Sequence, residues 1–143
     1  MLSQILSSNI ELGHTVIDAQ HRYLIEIGKK IEALSAERKS TKSISLLLKK
    51  YRRITKKHFS SEEEYMALLV DDAYKPHKIA HSHNHKYFIN FLNDVIKDIS
   101  VEDDFNCISD LMSYLFNGFK LHMLYYDKEL FAFLKKEKLF NAR

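Results

Sequence analysis

Turns and staples are largely missing from this chain: its 143 residues include three glycines, one proline, one cysteine and no tryptophan. So few turn formers disfavour a sandwich or barrel with many tight corners and favour long helices. The single cysteine, Cys107, cannot build a disulfide framework within the chain; it reads as a small buried hydrophobe or a neutral surface residue. No uninterrupted apolar run approaches the ~20 residues that span a bilayer. The opening MLSQILSSNI lacks a basic n-region, a long apolar h-region and a cleavage signal, so the expected compartment is the cytoplasm. Neither sign of charge dominates: the net charge is +3 with histidines neutral, too mild to point to nucleic acid.

What is present is an ordinary apolar fraction, 45%, enough for a packed core and too much for a disordered chain. The length suits one domain over 1–143, with its bundle at about 12–137. Four stripes repeat at intervals of three and four. The first runs Ile17, His21, Leu24, Ile25, Gly28, Ile31 and Leu34, and Thr15 with Asp18 resembles a capping box at its start. The second carries Ile44, Leu48, Tyr51, Thr55, His58, Glu62 and Leu69 and breaks at Asp71 and Asp72. Pro76 suits the first turn of a third helix, which carries His81, Asn84, His85, Phe88, Leu92, Val95 and Ile99. Ser100 with Asp103 marks a second candidate capping box, before a stripe of Ile108, Met112, Leu115, Phe119, His122, Tyr126, Leu130 and Leu134. Short connections make consecutive helices antiparallel neighbours. The predicted fold is all-α, an antiparallel up-down-up-down four-helix bundle with a metal site in its core.

The metal site follows from the polar residues on those apolar stripes. His21, His58, Glu62, His81, His85, His122 and Asp127 all fall on inward faces. Buried polar groups need partners, and seven together point to a shared one. Five imidazoles and two carboxylates exceed the needs of one tetrahedral zinc and suit two first-row transition metals bridged by carboxylates. His58 and Glu62, like His81 and His85, are four apart and therefore share a helix face. His122 and Asp127 are five apart, about 140° of rotation on an ideal helix. They can point one way only through a local adjustment or a long reach, so Asp127 is expected to lean across a binuclear site, with some irregularity in the fourth helix. His83 should face solvent, His77 should lie at the surface or behind His81, and His14 precedes the first helix with no assigned role.

A second cluster is basic. Lys49, Lys50, Arg52, Arg53, Lys56 and Lys57 lie together with no acid among them. A solvated outer face is the plain reading, and a docking face for an acidic protein partner is the functional one.

The stretches Ile17-Asp18-Ala19-Gln20-His21, His58-Phe59-Ser60-Ser61-Glu62-Glu63, His81-Ser82-His83-Asn84-His85 and His122-Met123-Leu124-Tyr125-Tyr126-Asp127 resemble the hemerythrins, the bacterial single-domain members above all. The resemblance implies two iron ions with a bridging oxo or hydroxo group and dioxygen as ligand. His81, His85 and His122 would hold one iron, His21 and His58 the other, and Glu62 and Asp127 would bridge them. It further implies reversible dioxygen binding for carriage, storage or delivery, without turnover, in a dry apolar pocket. The alternatives are an oxygen or redox sensor acting through a separate partner, di-iron peroxide or nitric oxide chemistry, and iron donation. Phe119 stands where a leucine commonly lines the oxygen pocket of that family, a departure expected to narrow it.

Overall fold

The computed structural model describes residues 11–38, 40–102 and 104–140. Helix α1 spans Thr15–Ala36, α2 Thr41–Ala67, α3 Lys75–Ile99 and α4 Phe105–Leu121. A π-helical turn, His122–Asp127, carries α4 directly into α5, Lys128–Lys136, so these three pieces act as one long fourth helix. No strand occurs among the described residues. The main contacts join α1 to α2, α2 to α3, α3 to α4 and α1 to α4, the closed square of an up-down-up-down bundle.

The helix ends are set by local chemistry, and two of them differ from expectation, the first by one residue and the second by four. The first cap is His14 rather than Thr15: its Nδ1 accepts from the Ile17 amide at 3.2 Å. Asp18 instead reaches back beyond the cap and accepts from the amides of Leu12 and Gly13 at 2.8 and 3.2 Å. Ser100 closes α3, donating its hydroxyl to the Lys97 carbonyl, and Asp104 caps α4 by accepting from the Asn106 amide at 2.9 Å. Asp103 lies outside the described residues. Asp71 accepts from the Ala73 amide and starts a short 3-10 turn, Asp72–Tyr74, after which Pro76 sits in the first turn of α3 as expected. The scarcity of glycine shows at two helix ends. Arg38 and Lys138 take the left-handed conformation that glycine usually supplies there, with φ of 55° and 57°.

Two apolar clusters flank a polar layer. The larger, on one side, includes Leu24, Ile31, Ile44, Leu48, Leu92, Ile99, Ile108 and Met112. The smaller gathers Ile17, Met66, Leu69, Tyr74, Leu130, Phe131 and Leu134. The capping residue His14 belongs beside this second cluster, with Nε2 on the Tyr65 hydroxyl and its ring against Phe131 and Phe140. Between the clusters, at the level of His21, His58 and His81, lies the candidate site.

Candidate metal centre

All seven predicted residues meet in this layer, and all are buried. Five imidazole Nε2 atoms converge on two carboxylates. Asp127 Oδ2 lies 2.9 Å from His21 Nε2 and 3.3 Å from His58 Nε2, while its Oδ1 lies 3.1 Å from His81 Nε2 and 2.8 Å from His122 Nε2. Glu62 Oε1 lies 3.0 Å from His85 Nε2, 3.3 Å from His122 Nε2 and 3.5 Å from the Nε2 atoms of His58 and His81. The donors sort into two sets: His81, His85 and His122 with both carboxylates, and His21 and His58 with the same two. Within each set the ligating atoms lie within 4.8 Å of one another.

The π-helical turn is what brings the last pair inward. In a turn closed by i→i+5 bonds, residues five apart stand one above the other. His122 and Asp127, the first and last residues of that turn, therefore share a face. The irregularity expected from their spacing is this single inserted residue.

A layer outside the seven fixes the rings. His58 Nδ1 donates to Gln20 Oε1 at 2.8 Å, His122 Nδ1 to Asn84 Oδ1 at 2.6 Å, and His85 Nδ1 to Glu63 Oε2. His77 Nδ1 donates to Glu129 at 2.7 Å, so its Nε2 accepts from His81 Nδ1 at 3.0 Å. Oxygen acceptors on one nitrogen require that nitrogen to carry the proton, which leaves a lone pair on the other. The Nε2 lone pairs of His58, His81, His85 and His122 thus all point toward carboxylate oxygens with too few protons between them. His21 Nδ1 and Glu62 Oε2 have no hydrogen-bond partner among the described residues. Donor atoms about 3 Å apart with lone pairs facing inward are what a shared cation with bonds of about 2.1 Å would organise. The residues therefore fit a metal pair.

The electrostatics agree. Burial pushes His58 down to about 4, only partly offset by the hydrogen bond with Asp127. Burial, then the charges of His122 and His81, push His85 down to about 2, and burial lowers His81 as well. These rings are held neutral, as ligands must be. Burial first, then the Asp127 charge, pushes Glu62 well above the carboxylate range. Burial would raise Asp127 too, but the neighbouring His122 ring and the hydrogen bonds with Glu62 and His21 outweigh it and hold that carboxyl well below its usual range.

The remaining histidines sort cleanly. His83 is exposed, and His77 stands behind His81 rather than among the converging donors. Gln20, Glu63 and Asn84 were not singled out as site residues. Their signal was position: Gln20 and Glu63 adjoin ligand candidates, and Asn84 lies on the third stripe. Glu63 also faces a surface groove lined by Lys56, Phe59, Ser82, His85 and Lys86, with Phe59 stacked on His85 at 4.0 Å. Phe119 meets His21 and His58 in T-shaped contacts at 6.3 Å and lies parallel to His122 at 6.4 Å, so it borders both donor sets. Tyr126 stacks on His81 at 5.3 Å, and Met123 is buried.

A four-helix bundle whose buried core can hold metal ions is the class that fold and site define. The family model for the hemerythrin HHE cation binding domain matches residues 12–134. A bacteriohemerythrin of Clostridium acetobutylicum is 31% identical over 131 residues, covering 87% of this chain and 96% of that protein. A bacteriohemerythrin of Campylobacter jejuni subsp. jejuni (strain 81-176) is 32% identical over 57 residues, covering 40% of this chain and 43% of that protein. The match therefore spans less than half of the Campylobacter relative. No solved structure matches. The chain belongs to the hemerythrin family, and membership implies a non-haem iron site. Among the described residues no helix is long and apolar enough to cross a membrane.

Proposed function

We propose that this chain binds dioxygen reversibly at a non-haem di-iron centre, as one cytoplasmic hemerythrin-like domain over 1–143. The observation that carries the reading is the division of donors, three imidazoles against two around the same pair of carboxylates. His81, His85 and His122 would hold one iron and His21 and His58 the other, with Glu62, Asp127 and a solvent-derived oxo or hydroxo group between. The shortfall of one imidazole would leave room for a small ligand on the His21 and His58 side. When bound, the two irons would together lend the two electrons that reversible dioxygen binding requires.

The chain's own residues supply the rest. Gln20, Asn84, Glu63 and His77 orient the rings through their outer nitrogens. Phe59, Phe119 and Met123 exclude bulk solvent. Histidine-rich ligation supplies few anionic donors for high-valent iron, which favours binding over turnover. Paired Glu-x-x-His motifs, the mark of ferritin-like oxidases, are also missing. The lone spacing of that kind, Glu11 to His14, has Glu11 paired with Arg22 and His14 capping α1. Carriage, storage or delivery of oxygen is the role this favours.

A second reading, oxygen or redox sensing through an acidic partner, draws on the basic face. There Lys49, Arg53, Lys56 and Lys57 are exposed, Arg52 donates to Asn93 at 3.0 Å and Lys50 lies over the Tyr23 ring.

The deciding experiment follows the visible spectrum of the anaerobically reduced, iron-loaded protein through cycles of oxygen exposure and removal. A charge-transfer band that appears and vanishes with oxygen is the expected result. Immediate conversion to the oxidised form would shift the weight to redox sensing, and many turnovers of peroxide or nitric oxide would shift it to catalysis.

A further inference from the structure

Two hydroxyls outside the ligand set are buried without a use. Tyr51 and Thr55 are both 0% exposed, and neither hydroxyl has a hydrogen-bond partner among the described residues. An unpaired buried hydroxyl lowers a folding constant roughly tenfold or more, so two within one helical turn require a reason. In a helix a threonine hydroxyl commonly returns to the carbonyl four residues back, here that of Tyr51. Thr55 does not make that bond. The four-residue spacing places both side chains on one face of α2, and His58 follows one turn beyond Thr55 on that face.

Phe119 ties this pair to the centre. Its ring meets Tyr51 edge-on at 6.0 Å, meets His21 and His58 edge-on at 6.3 Å, and lies parallel to His122 at 6.4 Å. Phe116 closes the other edge of Tyr51 at 5.6 Å. Burial holds the Tyr51 phenol far above its ordinary range, so it remains a hydrogen-bond donor.

We infer that Tyr51 and Thr55 together bind one small hydrogen-bonding molecule beside Phe119, water in the resting protein. The side of the centre flanked by His21 and His58 is then a polar compartment, in place of the dry pocket that the family resemblance implies. The held molecule donates a hydrogen bond to small ligands that accept one, and so favours an anion such as azide over an apolar diatomic. This last consequence rests on the proposed iron centre; the binding of the small molecule itself does not.

The test separates the two. In the metal-free protein, Tyr51→Phe, Thr55→Val and the double variant form a stability cycle read by urea unfolding. If the hydroxyls share a guest, each single substitution lowers the folding constant, by about three- to tenfold, and the double costs less than the product of the two. Unused hydroxyls give the opposite: each substitution raises the folding constant, the two effects multiply independently, and the inference falls. In the iron-loaded, oxidised protein, azide titrated by its charge-transfer band should bind about tenfold more weakly to Tyr51→Phe, the worth of one buried hydrogen bond. Unchanged azide affinity in both single variants would overturn the polar compartment. A chain that takes up no iron would sink the proposed function and leave the metal-free cycle to decide the guest.

Discussion

The apolar layers around Ile31, Ile44, Leu48, Leu92 and Ile99 and the ligand layer around Glu62 and Asp127 are equally buried, yet opposite physics holds them. Each large apolar side chain gains about 1.5–3 kcal/mol on leaving water. Each buried carboxylate costs several kcal/mol unless its charge is met. The first region folds for its own sake, whereas the second is tolerated because the first can carry it until a cation arrives. Fold stability and metal chemistry are thus separable along the axis of one bundle, and mutations can be chosen to move one without the other.

Glu62→Gln should give the largest separation. Glu62 is pushed toward its neutral form, which glutamine imitates, so the metal-free protein should lose far less stability than a core truncation costs. Iron content by elemental analysis should drop from two per chain to one or none. The stabilisation that saturating metal confers, about 4 kcal/mol at a thousand times Kd, should disappear from the unfolding curve. A variant that still loads two irons would remove Glu62 from the bridge.

Leu92→Ala should do the reverse, destabilising the metal-free protein by about 2–5 kcal/mol through a core cavity, with iron stoichiometry unchanged. Loss of iron at a temperature where the variant is still folded would show that the regions are coupled after all.

Asn84→Ala addresses the boundary between them. It removes the acceptor that fixes the His122 ring and should weaken iron binding about 10- to 100-fold in a chelator competition. An unchanged affinity would reduce Asn84 to packing.

The smallest effect concerns pH in the metal-free protein. His58, His81 and His85 have lowered folded values, so below about 6.5 the unfolded chain binds more protons and stability falls with pH. For His58 that loss continues to about 4. Glu62 is raised and acts oppositely, favouring the folded state as pH falls toward its ordinary range. Three imidazoles against one carboxyl should leave a net decline from pH 6.5 toward 4, measured by urea midpoints. A flat profile would mean that these rings are not held neutral.

Helix number, order and inward faces were legible in the sequence because a 3.6-residue period is local and repeats many times. The seven converging residues were legible for the same reason, since each rides on an apolar stripe. His122 and Asp127 even announced a defect, through a spacing that an ideal helix cannot satisfy. Helix ends were read less well. His14 took the cap assigned to Thr15, because a histidine ring can also accept the first amide, and its packing against Tyr65, Phe131 and Phe140 holds it there.

The sequence by itself determined that four amphipathic helices would bury histidines and carboxylates together, since burial of a polar stripe residue follows from its register alone. The tertiary structure decided how those donors divide around Glu62 and Asp127, which nitrogen of each ring faces inward, and that the Tyr51 and Thr55 hydroxyls are buried without a hydrogen-bond partner among the described residues. Those outcomes depend on distances between helices far apart in the chain, and such distances are set by packing, which no local period encodes.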